Sequence, residues 1–278
     1  MGIVLEGVGL THAGGLPALQ DIDLRIEKGE RVAVIGSSGA GKTSLLRLLA
    51  TGLMPSSGHL SLLDQAPAQL RAGALKKLRS RIGLIHQSPP LPPRQRVVTA
   101  VQAGRLGQWS LPRALASLCY PLDIDGVEQV LAPLDLTAKL FSRCDQLSGG
   151  QLQRVGIARV LYQRAELVLA DEPVAAMDPL LADHTVALLN RLAAERNVTL
   201  VASLHAVDLA LKHFPRVIGL RAGRLHFDCP AEQVTDALLE SLYANDELGP
   251  VQSTDQVHGT SAAHQHSRNT AGVAPRCL

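Results

Sequence analysis

Hydrophobic and polar residues alternate along the first part of the chain, as they do in a half-buried strand. The alternation is clearest near its end, where Ile22, Leu24 and Ile26 fall on one face and charged residues lie between them. A period of two residues is typical of a strand that packs one face on a core. The pattern from Ile3 to Arg25 therefore predicts a half-buried antiparallel strand.

Farther along, the apolar residues form short uninterrupted runs. A run of four or five such residues is typical of a strand buried on both faces. Stretches of helical spacing, such as residues 182–195, separate the runs, and this order predicts a mainly parallel sheet covered by helices. The predicted buried strands are Arg31–Ile35, Ile82–Ile85, Leu167–Ala170, Val198–Ala202 and Val217–Leu220.

Residues from about 88 to 165 differ, because they open on a cluster of four prolines and continue with helical spacing only. We expect an inserted helical subdomain here. After the last buried strand, the Arg221–Arg224 segment predicts a hairpin that returns to the sheet edge. The predicted helices of the insert are Thr99–Leu106, Pro112–Tyr120, Val127–Leu131 and Gly150–Tyr162.

The end of the chain changes in composition. Residues 249–278 are rich in Ser, Thr, Ala, Gly, Gln and His and contain no large periodic apolar set. Such a composition cannot bury enough apolar surface to offset the entropy of ordering. We therefore expect one folded domain over residues 1–248 and a disordered low-complexity tail over residues 249–278.

Overall composition and charge exclude several classes of protein. Of 278 residues, 46% are hydrophobic and 19% are charged, so the chain can bury a sizeable core. The net charge of +2 gives no strong attraction to nucleic acid, which we exclude as a partner. No apolar run approaches the roughly 18 residues that a bilayer span needs, and the first residues lack the pattern of a signal peptide. Residence in the cytosol is the expectation.

A glycine-rich loop joins the strand Arg31–Ile35 to a helical pattern. This order suits phosphate binding, because backbone amides turn inward around phosphate oxygens and the glycines permit the tight turn. The lysine would reach the β- and γ-phosphates of a nucleotide, and the threonine hydroxyl would bind Mg²⁺. The loop matches the P-loop pattern with Gly36, Ser37, Ser38, Gly39, Ala40, Gly41, Lys42 and Thr43.

Two acidic residues, Asp171 and Glu172, follow the buried run Leu167–Ala170. An acidic residue at the end of a buried strand can hold Mg²⁺ beside a P-loop, and a second one can accept a proton from attacking water. The alternative is a strand that ends in an ordinary solvated turn. The presence of a P-loop favours the metal and general-base interpretation.

The segment Leu147–Gln151 reads Leu-Ser-Gly-Gly-Gln and precedes a predicted helix. Free amides at a helix N-terminus bind anions, and the Ser148 hydroxyl would lie beside them. A serine at this position is equally typical of an ordinary N-cap. The residues alone leave both interpretations open.

Together with Gln87 and His205, these segments resemble the ATP-binding cassette (ABC) ATPases. The order along the chain is that of the family: Walker A, Q-loop, signature, Walker B, D-loop and switch histidine. The resemblance extends over about residues 3–245. It implies an α/β P-loop NTPase with a mainly parallel core sheet, an N-terminal antiparallel β subdomain and an inserted α-helical subdomain.

The same resemblance implies a working homodimer that hydrolyses ATP with Mg²⁺. ATP would lie between the P-loop of one subunit and the signature of the other, while Asp178 belongs to the D-loop. The implied signature contacts to ATP are Ser148, Gly149, Gly150 and Gln151.

Roles for the remaining motif residues also follow from the resemblance. Glu172 would be the general base, and His205 would orient the γ-phosphate and the attacking water. Gln87 would couple the sheet to the helical subdomain. The implied Mg²⁺ ligands are Thr43, Gln87 and Asp171.

Two positions depart from the family pattern. His12 occupies the place where family members usually stack an aromatic ring on adenine, and imidazole offers less surface than a tyrosine ring. We expect adenine to be held loosely there. The D-loop reads Ala-Ala-Met-Asp over residues 175–178, where Ser-Ala-Leu-Asp is more usual.

Three further segments, residues 101–107, 205–208 and 216–221, are similar to the ATP-binding subunits of phosphonate importers. That similarity implies transmembrane permease partners, an indirect periplasmic solute-binding partner and a peripheral location on the cytoplasmic face of the inner membrane. The ligand would be a phosphonate, phosphite or another phosphorus oxyanion. The alternatives are an importer ATPase for another solute, a soluble accessory ABC ATPase of phosphonate metabolism, and a P-loop kinase, which the signature disfavours.

Overall fold

The computed structural model describes residues 2–244 of the chain. The predicted tail, residues 249–278, lies outside the described residues and stays a prediction. The described strands are β1 (Ile3–Thr11), β2 (Pro17–Ile26), β3 (Arg31–Ile35), β4 (Ser57–Leu62), β5 (Ile82–Ile85), β6 (Leu167–Asp171), β7 (Thr199–Ser203), β8 (Arg216–Arg221) and β9 (Arg224–Pro230).

Helices follow most of these strands. Within residues 2–244, none is long and apolar enough to span a bilayer. Short 3₁₀ turns join several elements, among them Ala103–Arg105 and Cys144–Gln146. The α-helices are α1 (Lys42–Leu49), α2 (Ala72–Ser80), α3 (Val97–Gln102), α4 (Leu111–Cys119), α5 (Ile124–Leu131), α6 (Gly149–Gln163), α7 (Pro179–Glu195), α8 (Val207–His213) and α9 (Asp236–Tyr243).

A six-stranded sheet forms the centre, in the order β5-β6-β7-β3-β8-β9. Its first five strands are parallel, and β9 returns antiparallel to β8 as the hairpin prediction required. All five predicted buried strands are present within a residue or two. The prediction of a mainly parallel sheet from apolar runs is thus confirmed.

Alternate residues of the central strands enter two separate cores. Val32 and Val34 of β3 pack in the core shared with the antiparallel sheet and α1, whereas Ala33 and Ile35 pack in the core shared with α6, α7 and α8. A strand with apolar residues on both faces is needed for this position, because each face of the sheet is covered. The carboxyl ends of β3, β6 and β7 therefore emerge together from a buried scaffold.

The predicted strand Ile3–Arg25 is in fact two strands, which is a correction. Strands β1 and β2 pair antiparallel from Ile3 opposite Ile26 to Thr11 opposite Pro17, and β4 pairs on the other side of β1. The break lies at residues 12–16, where two glycines allow a turn and Gly15 adopts a φ of 77°. The N-terminal antiparallel sheet has three strands.

Four helices, α3 to α6, lie between β5 and β6 in the chain. The helix predicted at Thr99–Leu106 begins two residues earlier, at Val97, and its end is a 3₁₀ turn. Strand β4 and helices α2, α8 and α9 were not predicted. Helix α2 has nine residues, of which Leu78 alone is buried, so it contributes little to the core.

Candidate functional site

The P-loop connects β3 to α1 in a conformation that its glycines make accessible. Gly36 has a φ of 149°, and a side chain there would collide with the Leu220 carbonyl oxygen. Gly41, at the N-cap of α1, has a φ of 104°, which other residues rarely adopt. The first amides of α1 have no carbonyl partner in a preceding helical turn, so the loop offers them to an anion.

Lys42 folds over this loop and is 5% exposed. Its ammonium group donates to the carbonyl oxygens of Gly36, at 2.6 Å, and Ser37, at 2.8 Å. The cation is thus held against the loop and lines the cleft above it, where it can contact a bound phosphate.

A cleft of about 350 Å³ opens over the P-loop. It brings together residues from four separate parts of the chain, including segments that sequence analysis had assigned to different motifs. The lining residues are His12, Leu16, Pro17, Ala18, Ser37, Ser38, Gly39, Gly41, Lys42, Thr43, Ser44, Glu172 and His205.

Asp171 ends β6 and faces the first turn of α1. Its Oδ1 atom accepts hydrogen bonds from the hydroxyls of Thr43, at 3.1 Å, and Ser203, at 3.0 Å. Strand pairing of β6 with β7 sets Asp171 directly beside Ser203. The P-loop threonine and the Walker B aspartate are therefore adjacent, as the sequence predicted.

Glu172 lies in the turn just after β6 and carries two contacts on its carboxylate. Gln87 donates through its amide nitrogen to Oε2 at 2.7 Å, and the imidazole Nε2 of His205 lies 2.6 Å from Oε1. The glutamate side chain is 13% exposed, whereas that of His205 is 52% exposed. All three residues predicted as catalytic thus meet at one carboxylate.

The oxygen atoms here suit a Mg²⁺ ion. Mg²⁺ prefers carboxylate, hydroxyl and carbonyl oxygens and keeps several waters when it binds with nucleotide phosphates. The hydroxyl of Thr43 and the carboxylate of Asp171 are adjacent and supply two such oxygens. The side-chain amide of Gln87, which contacts the neighbouring Glu172, carries a third. The residues present fit the ion.

Ser148 is the N-cap of α6, which is one of the two roles that the sequence left open for it. Its hydroxyl accepts from the Gln151 amide at 3.3 Å, and the Gln151 side chain accepts from the Ser148 amide at 3.0 Å. Such a capping box leaves other amides of the first turn unpaired. The predicted contacts of this segment with ATP on a partner subunit stay a prediction.

The D-loop lies against the same segment. Asp178 caps α7 by accepting from the Leu181 amide at 3.0 Å, and Pro179 opens that helix. A side chain at Gly150 would press on the Ala176 carbonyl oxygen. The signature and the D-loop therefore lie in contact. Residue 175 is alanine in this chain, where the family more often has serine, so its side chain offers no hydroxyl there.

His12 reaches the P-loop side of the cleft, where its Nε2 lies 3.4 Å from the Ser44 hydroxyl. Leu16, four residues on and 73% exposed, borders the same cleft. The sequence analysis did not predict Leu16 as a site residue. The one feature that could have indicated it is its apolar side chain next to two glycines in a turn. Burial lowers the pKa of His86, next to Gln87, below its ordinary value.

Comparison with known proteins identifies the family to which this chain belongs. The family profile described as ABC transporter matches residues 19–175, which is more than half of the chain. The chain belongs to the ABC transporter family. The predicted α/β P-loop fold and the binding and hydrolysis of ATP are thereby confirmed.

Curated ABC relatives match over most of their length. Phosphonates import ATP-binding protein PhnC 2 of Pseudomonas aeruginosa is 68% identical over 89% of this chain and 93% of its own. Phosphonates import ATP-binding protein PhnC 1 of Cupriavidus necator is 56% identical over 99% of both chains. These identities extend well beyond the shared motifs.

Solved ABC structures share the fold. A dimeric bacterial ABC transporter cassette, MJ0796, superposes with a TM-score of 0.73 at 27% identity, over 82% of this chain and 98% of that one. The same cassette in a dimeric post-hydrolysis state, bound to ADP and Pi, gives a TM-score of 0.72.

Replacing His12 by tyrosine is expected to lower the KM for ATP about two- to fivefold and to leave kcat unchanged. An aromatic stack contributes roughly 0.5–1.5 kcal/mol, and tyrosine offers more ring surface to adenine than imidazole does. Steady-state phosphate release at varied ATP measures both constants. His59→Tyr, on the exposed side of β4, is the matched control. An unchanged KM for His12→Tyr would mean that adenine does not stack at this position.

Proposed function

We propose that this chain is the ATP-hydrolysing motor subunit of an importer for phosphonate or a related phosphorus oxyanion. Two copies of the chain would form the ATPase, docked on paired membrane permease subunits at the cytoplasmic face of the inner membrane. A periplasmic solute-binding protein would act on it indirectly, through the permease. The observation that carries the solute class is the 68% identity with relatives named for phosphonate import.

A pair of chains is favoured by the position of the motifs. The P-loop and the signature occur once each in the chain, and each has exposed residues: Ser38 and Gly39 in the P-loop, Ser148 and Gly149 in the signature. In the proposed dimer, the exposed N-terminus of α6 meets the γ-phosphate held by the other subunit's Lys42 and Thr43. Positive partial charge at a helix N-terminus stabilises such an anion.

A docking surface for the permease is favoured by apolar residues that the fold leaves exposed. Leu111 and Leu115 of α4 are 73% and 57% exposed, and Tyr120 and Leu122 follow directly after that helix. Exposed apolar side chains grouped in this way are typical of protein interfaces. They belong to the segment that follows Gln87, so a movement of the docked partner is transmitted to the nucleotide site.

The site performs hydrolysis by position and charge. P-loop amides and Lys42 hold the β- and γ-phosphates. Thr43, Asp171 and Gln87 would hold a Mg²⁺ ion, which would supply positive charge to offset that of the phosphates. Glu172 accepts a proton from the water whose oxygen attacks the γ-phosphorus, and the bond to the β,γ-bridging oxygen breaks to leave ADP. His205 holds the γ-phosphate and the water in line.

The test is reconstitution with a phosphonate permease and its periplasmic binding protein. We expect copurification with the permease in detergent, and an ATPase rate in vesicles that rises severalfold when binding protein and 2-aminoethylphosphonate are added together. Sulfate, a tetrahedral anion without phosphorus, serves as the matched anion control. Stimulation by another solute instead would overturn the phosphonate assignment, and copurification with a soluble enzyme complex would favour the accessory ATPase.

A further inference from the structure

Glu172 has a backbone conformation that a glutamate does not adopt by itself. Its φ is 48°, in the left-handed region, where a side chain approaches the following carbonyl oxygen and costs roughly 1–2 kcal/mol. The strained turn directs the carboxylate toward Gln87 and His205 instead of continuing the line of β6. Neighbouring groups must offset the strain.

Ser203 holds one side of this turn. Its hydroxyl accepts a hydrogen bond from the Glu172 amide at 3.0 Å and donates one to Oδ1 of Asp171 at 3.0 Å. The serine is fully buried at the end of β7, so water does not compete for either bond. One hydroxyl thus fixes both acidic residues, the amide of one and the carboxylate of the other.

Gln153 holds the other side. Its side-chain amide nitrogen donates to the Glu172 carbonyl oxygen at 3.1 Å, and the residue is 1% exposed. Within residues 2–244, its side-chain oxygen has no hydrogen-bond partner. Burying an amide with an unpaired oxygen costs free energy, so an apolar side chain of the same length would serve packing better.

We propose that Ser203 and Gln153 form a clamp that positions Glu172 for hydrolysis, with one bond to its amide and one to its carbonyl. This inference rests on the proposed role of Glu172 as general base. Neither residue lines the cleft over the P-loop, and both act through Glu172. Because Gln153 belongs to α6, whose N-terminus is Ser148, the clamp also links the base to the signature helix.

The experiment measures kcat and KM for ATP in the full-length chain carrying Ser203→Ala or Gln153→Met. Ser203→Ala removes two hydrogen bonds, one to the Glu172 amide and one to the Asp171 carboxylate, whereas Gln153→Met removes only the bond to the Glu172 carbonyl oxygen. Both variants keep most of the side-chain shape. We expect kcat to fall about 10- to 100-fold in each, because misplacing a general base by a fraction of an ångström removes much of its effect. KM for ATP should stay within about twofold, since the P-loop contacts are intact.

Matched controls separate positioning from general loss of structure. Thr199 lies on the same strand as Ser203, is equally buried, and its hydroxyl accepts from the Gly29 amide. Gln102 is a second 1% exposed glutamine, whose side-chain oxygen accepts from the Leu122 amide. Thr199→Val and Gln102→Met should lower the melting temperature as much as the clamp variants do and leave kcat unchanged. Ser203→Thr keeps the hydroxyl that Ser203→Ala removes, and this variant should keep most of the wild-type rate.

Failure of this inference is distinguishable from failure of the proposed base. In a Glu172→Gln background, Gln153→Met should cause no further loss, because its bond goes to Glu172 and the clamp has no base left to position. A further 10-fold loss in that background would overturn the clamp, as would equal losses in the controls or a raised KM at normal kcat. If Ser203→Ala does not fold, Gln153→Met decides by the same readouts. Normal turnover by Glu172→Gln would instead overturn the base assignment.

Discussion

Glu172→Gln is expected to lower ATP turnover by about 100- to 10,000-fold while ATP still binds. The amide has the shape of the carboxylate and still offers an oxygen to the Gln87 amide, but it cannot take the proton of the attacking water. ATP then stays bound and the closed dimer accumulates. Phosphate release measures the rate, and gel filtration with ATP and Mg²⁺ measures the dimer.

Glu166 provides a matched control for this substitution. It lies just before the opposite end of β6, where its carboxylate receives two bonds from Arg81 at 2.6 and 2.9 Å. Glu166→Gln therefore weakens a partly exposed ion pair and leaves the nucleotide cleft untouched. Its kcat should equal that of the wild type. If Glu172→Gln hydrolyses ATP at the normal rate, Glu172 is not the base.

The central sheet was predictable because a strand that is buried on both faces consists of consecutive apolar residues. Strand β3 reads Arg-Val-Ala-Val-Ile, and each of its last four residues is buried. Strand β4 leaves no comparable mark: it reads Ser-Gly-His-Leu-Ser-Leu, and just two of its residues, Leu60 and Leu62, are buried. An edge strand that packs two side chains is held by its pairing with β1, and pairing is not visible in one sequence.

The candidate site was predictable where its residues are contiguous. Eight consecutive residues build the P-loop, and one strand presents Asp171 and Glu172 together, so the motif contains its own geometry. Ser203 and Gln153 have no such signal, because they reach Glu172 from 31 and 19 residues away. The left-handed turn at Glu172 has none either, since the residue there is not a glycine.

Ser148 shows why two interpretations of one residue need not exclude each other. Its hydroxyl completes the cap of α6 within the chain, yet the residue is exposed and the cap satisfies just part of the first turn. A capped, rigid helix end is a better anion site than a frayed one, because its amides are already aligned. The cap therefore does not decide whether Ser148 also contacts ATP in the dimer, and an activity measurement is needed to test that role.

Ser148→Arg is expected to lower ATPase activity at least about 100-fold while the P-loop still binds ATP. A long cationic side chain at the start of α6 would keep the signature from closing on the other subunit's γ-phosphate. Phosphate release and fluorescent-nucleotide binding measure the two effects. Ser110→Arg, at the exposed N-cap of α4, is the matched control and should keep normal activity in the isolated protein.

Mixing two inactive variants tests whether the site is shared between subunits. Lys42→Ala removes the P-loop cation, and Ser148→Arg blocks the signature. In a mixed dimer, both defects fall in one composite site, and the other site keeps an intact P-loop and an intact signature. An equal mixture should recover about one quarter of the wild-type rate, because about half of its dimers are mixed and each retains one site of two. If each subunit completed its own site, the mixture would stay inactive.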